Sequence, residues 1–123
     1  MLRVSAKSSN IEVDIQAVNG DATAAGKGIP LGLELMKFAE AVASFDSVDL
    51  DSARAALLEV GGELVLVDAV GVAANFQRMV RIADSMGIPV DDMQAELGKE
   101  VRETLGLEKF SSAQNSVGVS QGV

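Results

Sequence analysis

The chain has 123 residues, 48% of them hydrophobic, and its 18 acidic and 10 basic residues give a formal net charge of −8. This length suits one domain with a single core, and the charge repels nucleic acid and anionic membrane surfaces, so we expect neither as a partner. The sequence contains no cysteine and no histidine, which excludes thiol chemistry, thiolate metal sites and a histidine proton shuttle.

No residue set predicts a catalytic centre, a metal site or a cofactor. The chain starts without a basic and then apolar leader, and its longest apolar run is too short and too interrupted to cross a bilayer, which takes about 20 apolar residues. We therefore expect a cytoplasmic protein without a membrane segment.

The segment before residue 26 allows two interpretations. Ile11, Val13 and Ile15 alternate with acidic residues as in a half-buried strand. Residues 2–6 alternate in the same way as a possible first strand, with the KSSN sequence between the two as a possible turn. Against the resulting hairpin, Ser9 and Glu12 form a capping box. Because helical patterns dominate the rest of the chain, we favour a helix over about residues 10–25.

Glycine and proline mark the next boundaries. Gly26 and Gly28 suit a helix end, and Pro30 suits the start of a helix that should end near Phe45. The apolar face of that helix is carried by Leu31, Leu35, Phe38 and Val42, with Met36 and Ala39 beside it. Asp49 is then the predicted N-cap of a short amphipathic helix, which Gly61 and Gly62 end with a sharp reversal.

A long helix over residues 62–87 follows and is the centre of the predicted fold. It is almost continuously apolar from Leu64 to Ala74, interrupted only by Asp68 and Gly71, and then becomes amphipathic. We expect its first half to be buried on most sides and its second half to have a hydrated face.

Four polar residues of this helix form the candidate ligand-binding group. Asp68, Asn75, Arg78 and Arg81 fall on one side of a 3.6-residue period. A buried charge needs a partner, so Asp68 is expected to meet a cation, such as Arg78 of a neighbouring subunit or a lysine of another helix. The group is either a buried or interfacial polar network or a pocket in which an arginine binds an anion.

Two other clusters have simpler interpretations. GDATAAGKG at residues 20–28 has some features of a phosphate-binding loop, but Gly28 stands where a Ser or Thr should follow Lys27. Asp46, Asp49 and Asp51 lack the other ligands of a calcium loop. We interpret the first as an ordinary loop and the second as a solvated helix start.

The last predicted helix follows Gly87-Ile88-Pro89. Asp91 and Asp92 suit its N-terminal end, and its apolar face is carried by Met93, Leu97, Val101 and Leu105. From Ser111 the chain is polar and glycine-rich. We expect one helical domain over residues 1–110 and a flexible tail over residues 111–123.

Residues 29–110 resemble the C-terminal half of the AhpD-like, carboxymuconolactone decarboxylase family. The resemblance rests on the pattern NFxxxxRxADxxGIP, found here as Asn75, Phe76, Arg81, Ala83, Asp84, Gly87, Ile88 and Pro89. It implies an all-helical fold and homo-oligomers formed through helical faces. The Cys-x-x-Cys pair and histidine of the family's peroxidases have no counterpart here, so thiol peroxidase activity is excluded.

The sequence thus predicts an all-α domain of four or five helices with an AhpD-like half-domain fold. The leading functional hypothesis is a non-catalytic structural or interaction protein that forms a homodimer or higher homo-oligomer. Two alternatives remain: a protein that binds an anionic or apolar small molecule, and a partner subunit of a separately encoded AhpD-like enzyme.

Overall fold

The structure, a computed structural model, describes residues 8–89 and 96–117. Its regular structure in these ranges is entirely helical, which confirms the all-α class. The chain divides into two compact units, Met1–Gln77 and Arg78–Val123. The α-helices are α1 (Ala22–Ala25), α2 (Gly32–Ser44), α3 (Ser47–Met86), α4 (Glu96–Leu105) and α5 (Gln114–Val117), with 3₁₀ helices at Ile15–Asn19, Leu107–Lys109 and Ser111–Ala113.

The single helix expected over residues 10–25 is wrong. Residues 11–14 are irregular, and a 3₁₀ helix starts at Ile15, where the Gln16 N–H donates to the Asp14 carboxylate at 3.1 Å. The chain turns at Gly20 (φ 84°), and Asp21 caps the four-residue α1. Aspartate side chains compete for backbone N–H groups, so two of them within eight residues favour two short helices over one long one. The first strand of the alternative hairpin lies outside the described residues.

Helix α2 begins close to Pro30 and ends near Phe45, as the sequence predicts. It covers Gly32–Ser44 and ends at Phe45, which has left-handed backbone angles (φ 59°). Phe38 and Ala41 are buried within the first unit. In that unit, α1 packs against both the first 3₁₀ helix and α2. This N-terminal cluster is where most of the fully buried apolar side chains lie.

Helix α3 begins three residues earlier than predicted. Asp46, not Asp49, is its cap, because the backbone N–H groups of Val48 and Asp49 donate to the Asp46 carboxylate at 2.9 and 3.1 Å. Asp49 instead lies in the first turn, where its negative charge favours the helix dipole. Further along, Leu57 is completely buried.

The helix break predicted at Gly61–Gly62 is observed inside α3, where the backbone of Gly62 departs from helical geometry. Gly62 has φ 77° and ψ 177°, a conformation that only glycine adopts readily. Helix α3 therefore consists of a segment at residues 47–61 and a second at residues 63–86, which we call the central segment. Gly61 leaves room for Leu31, whose Cδ1 lies 3.1 Å from the place that a Cβ would take.

Burial of the first half of the central segment is not observed within this chain. Leu64 is 84% exposed and Val67 is 67% exposed, and Val70, Val72 and Phe76 are exposed as well. An apolar pattern shows which side chains need cover, but it does not show whether the same chain provides the cover. In the first unit, α1 instead forms the contacts between elements, with the first 3₁₀ helix and with α2.

In the second unit, the central segment ends where the GIP sequence predicts. Gly87 is left-handed (φ 65°), and the Ile88 N–H donates to the Ala83 carbonyl at 3.0 Å, which satisfies a helix end. The predicted cap and first apolar position of the next helix, Asp91, Asp92 and Met93, lie outside the described residues. Residues 111–117 form short helical turns. The single domain over residues 1–110 and the flexible tail stay predictions.

A pair of glycines before α2 tests the packing of the N-terminal cluster. A Cβ at Gly28 (φ 72°) would collide with the Glu12 carbonyl oxygen, whereas Gly26 has open space around it and a negative φ. We expect Gly28→Ala to lower the free energy of unfolding by more than about 1 kcal/mol, and Gly26→Ala to leave it unchanged or raise it by up to about 1 kcal/mol. Urea unfolding followed by circular dichroism measures both, and equal effects would contradict the described approach of residue 28 to residue 12.

Candidate functional site

The four residues predicted to bind a ligand all lie on α3, and all four are exposed. Asp68 and Asn75 belong to the first unit, and Arg78 and Arg81 belong to the second. Asp68 is exposed in this chain, so the cation that it was expected to meet, from a neighbouring subunit or another helix, stays a prediction. Its role as a ligand-binding residue stays a prediction.

Arg78 and Arg81 line an open depression of about 740 Å³ in the second unit. Ile82, Asp84 and Ser85 complete its lining. The Asp84 carboxylate opposes the positive charge of the two guanidinium groups, and the depression is shallow, so water screens a bound anion. We therefore expect this depression to bind an anion weakly at most.

A more apolar groove lies elsewhere, within the first unit between the first 3₁₀ helix and α2. It has a volume of about 580 Å³, and its apolar lining includes Ile15, Val18, Leu35, Met36 and Ala39. Asp14, Asn19 and Glu40 also line it. Its volume is in the range of small-molecule sites.

Sequence reasoning missed this groove. The sequence pattern that could have predicted the groove is the second apolar row on α2, where Met36 and Ala39 lie beside the predicted core face. The opposite wall comes from the 3₁₀ helix, and the sequence predicted an α-helix there instead.

The GDATAAGKG loop does not present a phosphate-binding helix terminus. The Asp21 carboxylate accepts hydrogen bonds from the Thr23 hydroxyl at 2.7 Å, the Thr23 N–H at 2.8 Å and the Ala24 N–H at 3.3 Å. These bonds occupy the N–H groups that a phosphate would need. The same bonds, that of the Thr23 hydroxyl first, hold the pKa of Asp21 below its usual value of 3.8. Lys27 lies 3.6 Å from Asp14 in an exposed ion pair, so this loop is structural.

The aspartates at the start of α3 have structural partners as well. Asp46 is the helix cap, and Asp51 accepts a hydrogen bond from Arg54 at 2.7 Å. Among residues 8–89 and 96–117, no group of three or more carboxylates is arranged to hold a metal ion. No helix in the same ranges is long and apolar enough to cross a membrane.

The most unusual surface of the described chain is apolar and lies on the central segment. Leu64, Val67, Gly71 and Ala74 are spaced by three, four and three residues, which places them on one side of a helix. All four are exposed, and we call them the 64–74 face. An exposed apolar helix face of this kind is typical of an interaction surface.

Comparison of the chain with protein-family models, with curated proteins and with solved structures gave no match in any of the three.

The charge of Asp21 gives a pH-dependent prediction. Its pKa is lowered in the folded chain, so the ionised carboxylate stabilises the fold above its unfolded pKa, and this contribution is lost as the pH falls through the lower folded value. We expect Asp21→Asn to lower the melting temperature at pH 7, and the difference from the unchanged chain to shrink as the pH falls below the usual value of 3.8. Glu59→Gln, at an exposed position of α3, controls for the loss of one negative charge. If the difference in melting temperature between Asp21→Asn and the unchanged chain stays constant down to pH 2, the ionised Asp21 carboxylate does not stabilise the fold.

Proposed function

We propose that the protein is a non-catalytic helical interaction protein that forms a homo-oligomer through α3. The observation that carries the proposal is the exposure of the 64–74 face, with Leu64 at 84% and Val67 at 67%. Removing such side chains from water is favourable by about 1.5–3 kcal/mol each when they are buried fully.

Further exposed apolar side chains on the central segment support the proposal. Val72, Phe76, Met79, Val80 and Ile82 are each 50% exposed or more. Scattered surface hydrophobic residues are ordinary, but many exposed apolar side chains along one helix indicate a protein contact. By contrast, the described residues offer no cluster of metal ligands, and the sequence has no thiol or imidazole, so a binding role requires fewer assumptions than a catalytic one.

An AhpD-like half-domain relationship is part of the proposal. It is supported by the NFxxxxRxADxxGIP pattern from Asn75 to Pro89 and by the all-helical structure. In that family, homo-oligomers form through helical faces, which agrees with an exposed α3. We also propose a cytoplasmic location, in keeping with a chain free of cysteine.

Two valines of α3 provide a matched test of self-association. Val67 is 67% exposed on the central segment, and Val48 is 76% exposed in the first turn of the helix. We expect Val67→Glu to weaken self-association by at least about 100-fold, because a carboxylate would be buried without a partner at the contact. Val48→Glu should leave it unchanged. Sedimentation velocity across a concentration series measures both.

A monomer at every concentration for the unchanged chain would overturn the homo-oligomer. If Val67→Glu and Val48→Glu weaken self-association equally, the contact between copies is not formed by the 64–74 face. Circular dichroism of each variant checks that the helices are intact.

The groove between the first 3₁₀ helix and α2 supports small-molecule binding as a second candidate function. Its apolar lining, with Ile15, Leu35 and Met36, suits an apolar ligand better than an anion, and its location differs from the sequence-predicted group around Asp68. A partner subunit from a separate AhpD-like enzyme is the third candidate, and the same exposed α3 supports it.

Native mass spectrometry of the protein purified from its own host separates these candidates. The homo-oligomer predicts a mass that is a whole multiple of the 12.7 kDa chain. An additional mass of a few hundred daltons per chain would indicate a ligand in the groove. A second polypeptide would indicate the partner-subunit function.

A further inference from the structure

The charged residues that line the groove between the first 3₁₀ helix and α2 are acidic. Asp14 precedes the 3₁₀ helix and Glu40 lies on α2, and no lysine or arginine of the described residues lines the groove. Asp14 is partly neutralised, because the Lys27 ammonium group lies 3.6 Å from one of its carboxylate oxygens. The Glu40 side chain has no ion pair or hydrogen bond with any other described residue. The groove therefore carries a negative charge that the described chain leaves unbalanced.

The wall of the groove beside Glu40 is apolar. Met36 lies one turn before Glu40 and Leu35 lies one turn before Ala39, so these four residues form two adjacent rows on α2. Ile15 supplies apolar surface from the opposite wall. One turn of helix, about 5.4 Å along the axis, thus separates an apolar surface from a carboxylate. A molecule of modest length reaches both.

We infer that the groove binds a small apolar molecule that carries one positive charge, as an alkylammonium ion does. The inference rests on small-molecule binding in the groove, the second candidate function proposed above, and adds the sign of the ligand's charge. That sign is opposite to the one expected for a ligand of Arg78 and Arg81. The inference does not depend on self-association through α3.

Electrostatics favour a cation over a neutral or an anionic ligand. A neutral apolar molecule in the groove would remove water from the Glu40 carboxylate without supplying a counter-charge, which opposes binding. An anion would meet the like charges of Asp14 and Glu40. An ammonium group at Glu40 supplies the counter-charge and donates hydrogen bonds to the carboxylate, while the apolar body of the ligand covers Leu35 and Met36.

Three probes with the same apolar chain test the sign of the charge. At pH 7, octylamine is positively charged, octanol is neutral and octanoate is negatively charged. We expect octylamine to bind at least about threefold more tightly than octanol, and octanoate to bind more weakly than octanol, because the charge pair at Glu40 is partly exposed to water and contributes modestly. Titration of the ¹⁵N-labelled full chain, followed by two-dimensional NMR, measures each dissociation constant and shows which residues contact the probe.

Matched variants test the role of Glu40. Glu40→Gln keeps the shape of the side chain and removes its charge, so we expect it to abolish the preference for octylamine over octanol. Glu59→Gln removes one charge at an exposed position of α3 outside the groove, and it should keep the preference. Ala39 is exposed, so Ala39→Trp places a large side chain in the groove without disturbing the core, and it should weaken octylamine and octanol alike. Circular dichroism checks that each variant remains helical.

The outcomes separate this inference from the candidate function on which it rests. Octanol or octanoate binding as tightly as octylamine would overturn the cationic ligand while small-molecule binding stands. Equal loss of the preference in Glu40→Gln and Glu59→Gln would also overturn it, because the attraction would then come from the net charge. If no probe binds, or if Ala39→Trp leaves octylamine binding unchanged, the groove is not the site and both proposals fail. A preference for octylamine that only Glu40→Gln removes supports the inference.

Discussion

The conformation of Gly62 determines which apolar residues of α3 are covered by their own chain. Leu57 and Leu64 are seven residues apart, which is close to two turns, and an unbroken helix would place them on nearly the same face. Leu57 is nonetheless fully buried, whereas Leu64 is 84% exposed. The backbone leaves helical geometry between them, at φ 77° and ψ 177°. The break thus assigns residue 57 to the core of the first unit and residue 64 to the surface.

Helix boundaries set by glycine and proline could be predicted from the sequence, because these residues act through backbone geometry that does not depend on distant contacts. The start of α2 after Pro30, the break at Gly62 and the end of the central segment at Gly87 were predicted in this way. Boundaries set by side-chain caps were harder. Asp46 and Asp49 are both plausible caps in sequence, and the choice depends on which carboxylate the N–H groups reach.

The environment of the candidate site could not be predicted from the sequence, for a different physical reason. A helix that is apolar over most of its circumference can be buried in a core or at a contact between chains, and both require the same side chains. The composition gives one indication, since four Phe and no Trp or Tyr leave little large apolar volume. In the described ranges, Leu57 is the only large side chain that is completely buried. In general, association is one way in which a chain with a small internal core can be stabilised.

The helix dipole favours acidic residues at the start of a helix and basic residues at its end, but it accounts for few of the charges on the central segment. That effect is confined to the first and last turns. It accounts for Glu63, at the start of the segment, but Asp68 lies beyond the first turn, and Arg78 and Arg81 both lie before the last one. Asp84, in the last turn, is acidic where the dipole favours a basic residue, and its three-residue spacing from Arg81 places the two side chains close together on the helix.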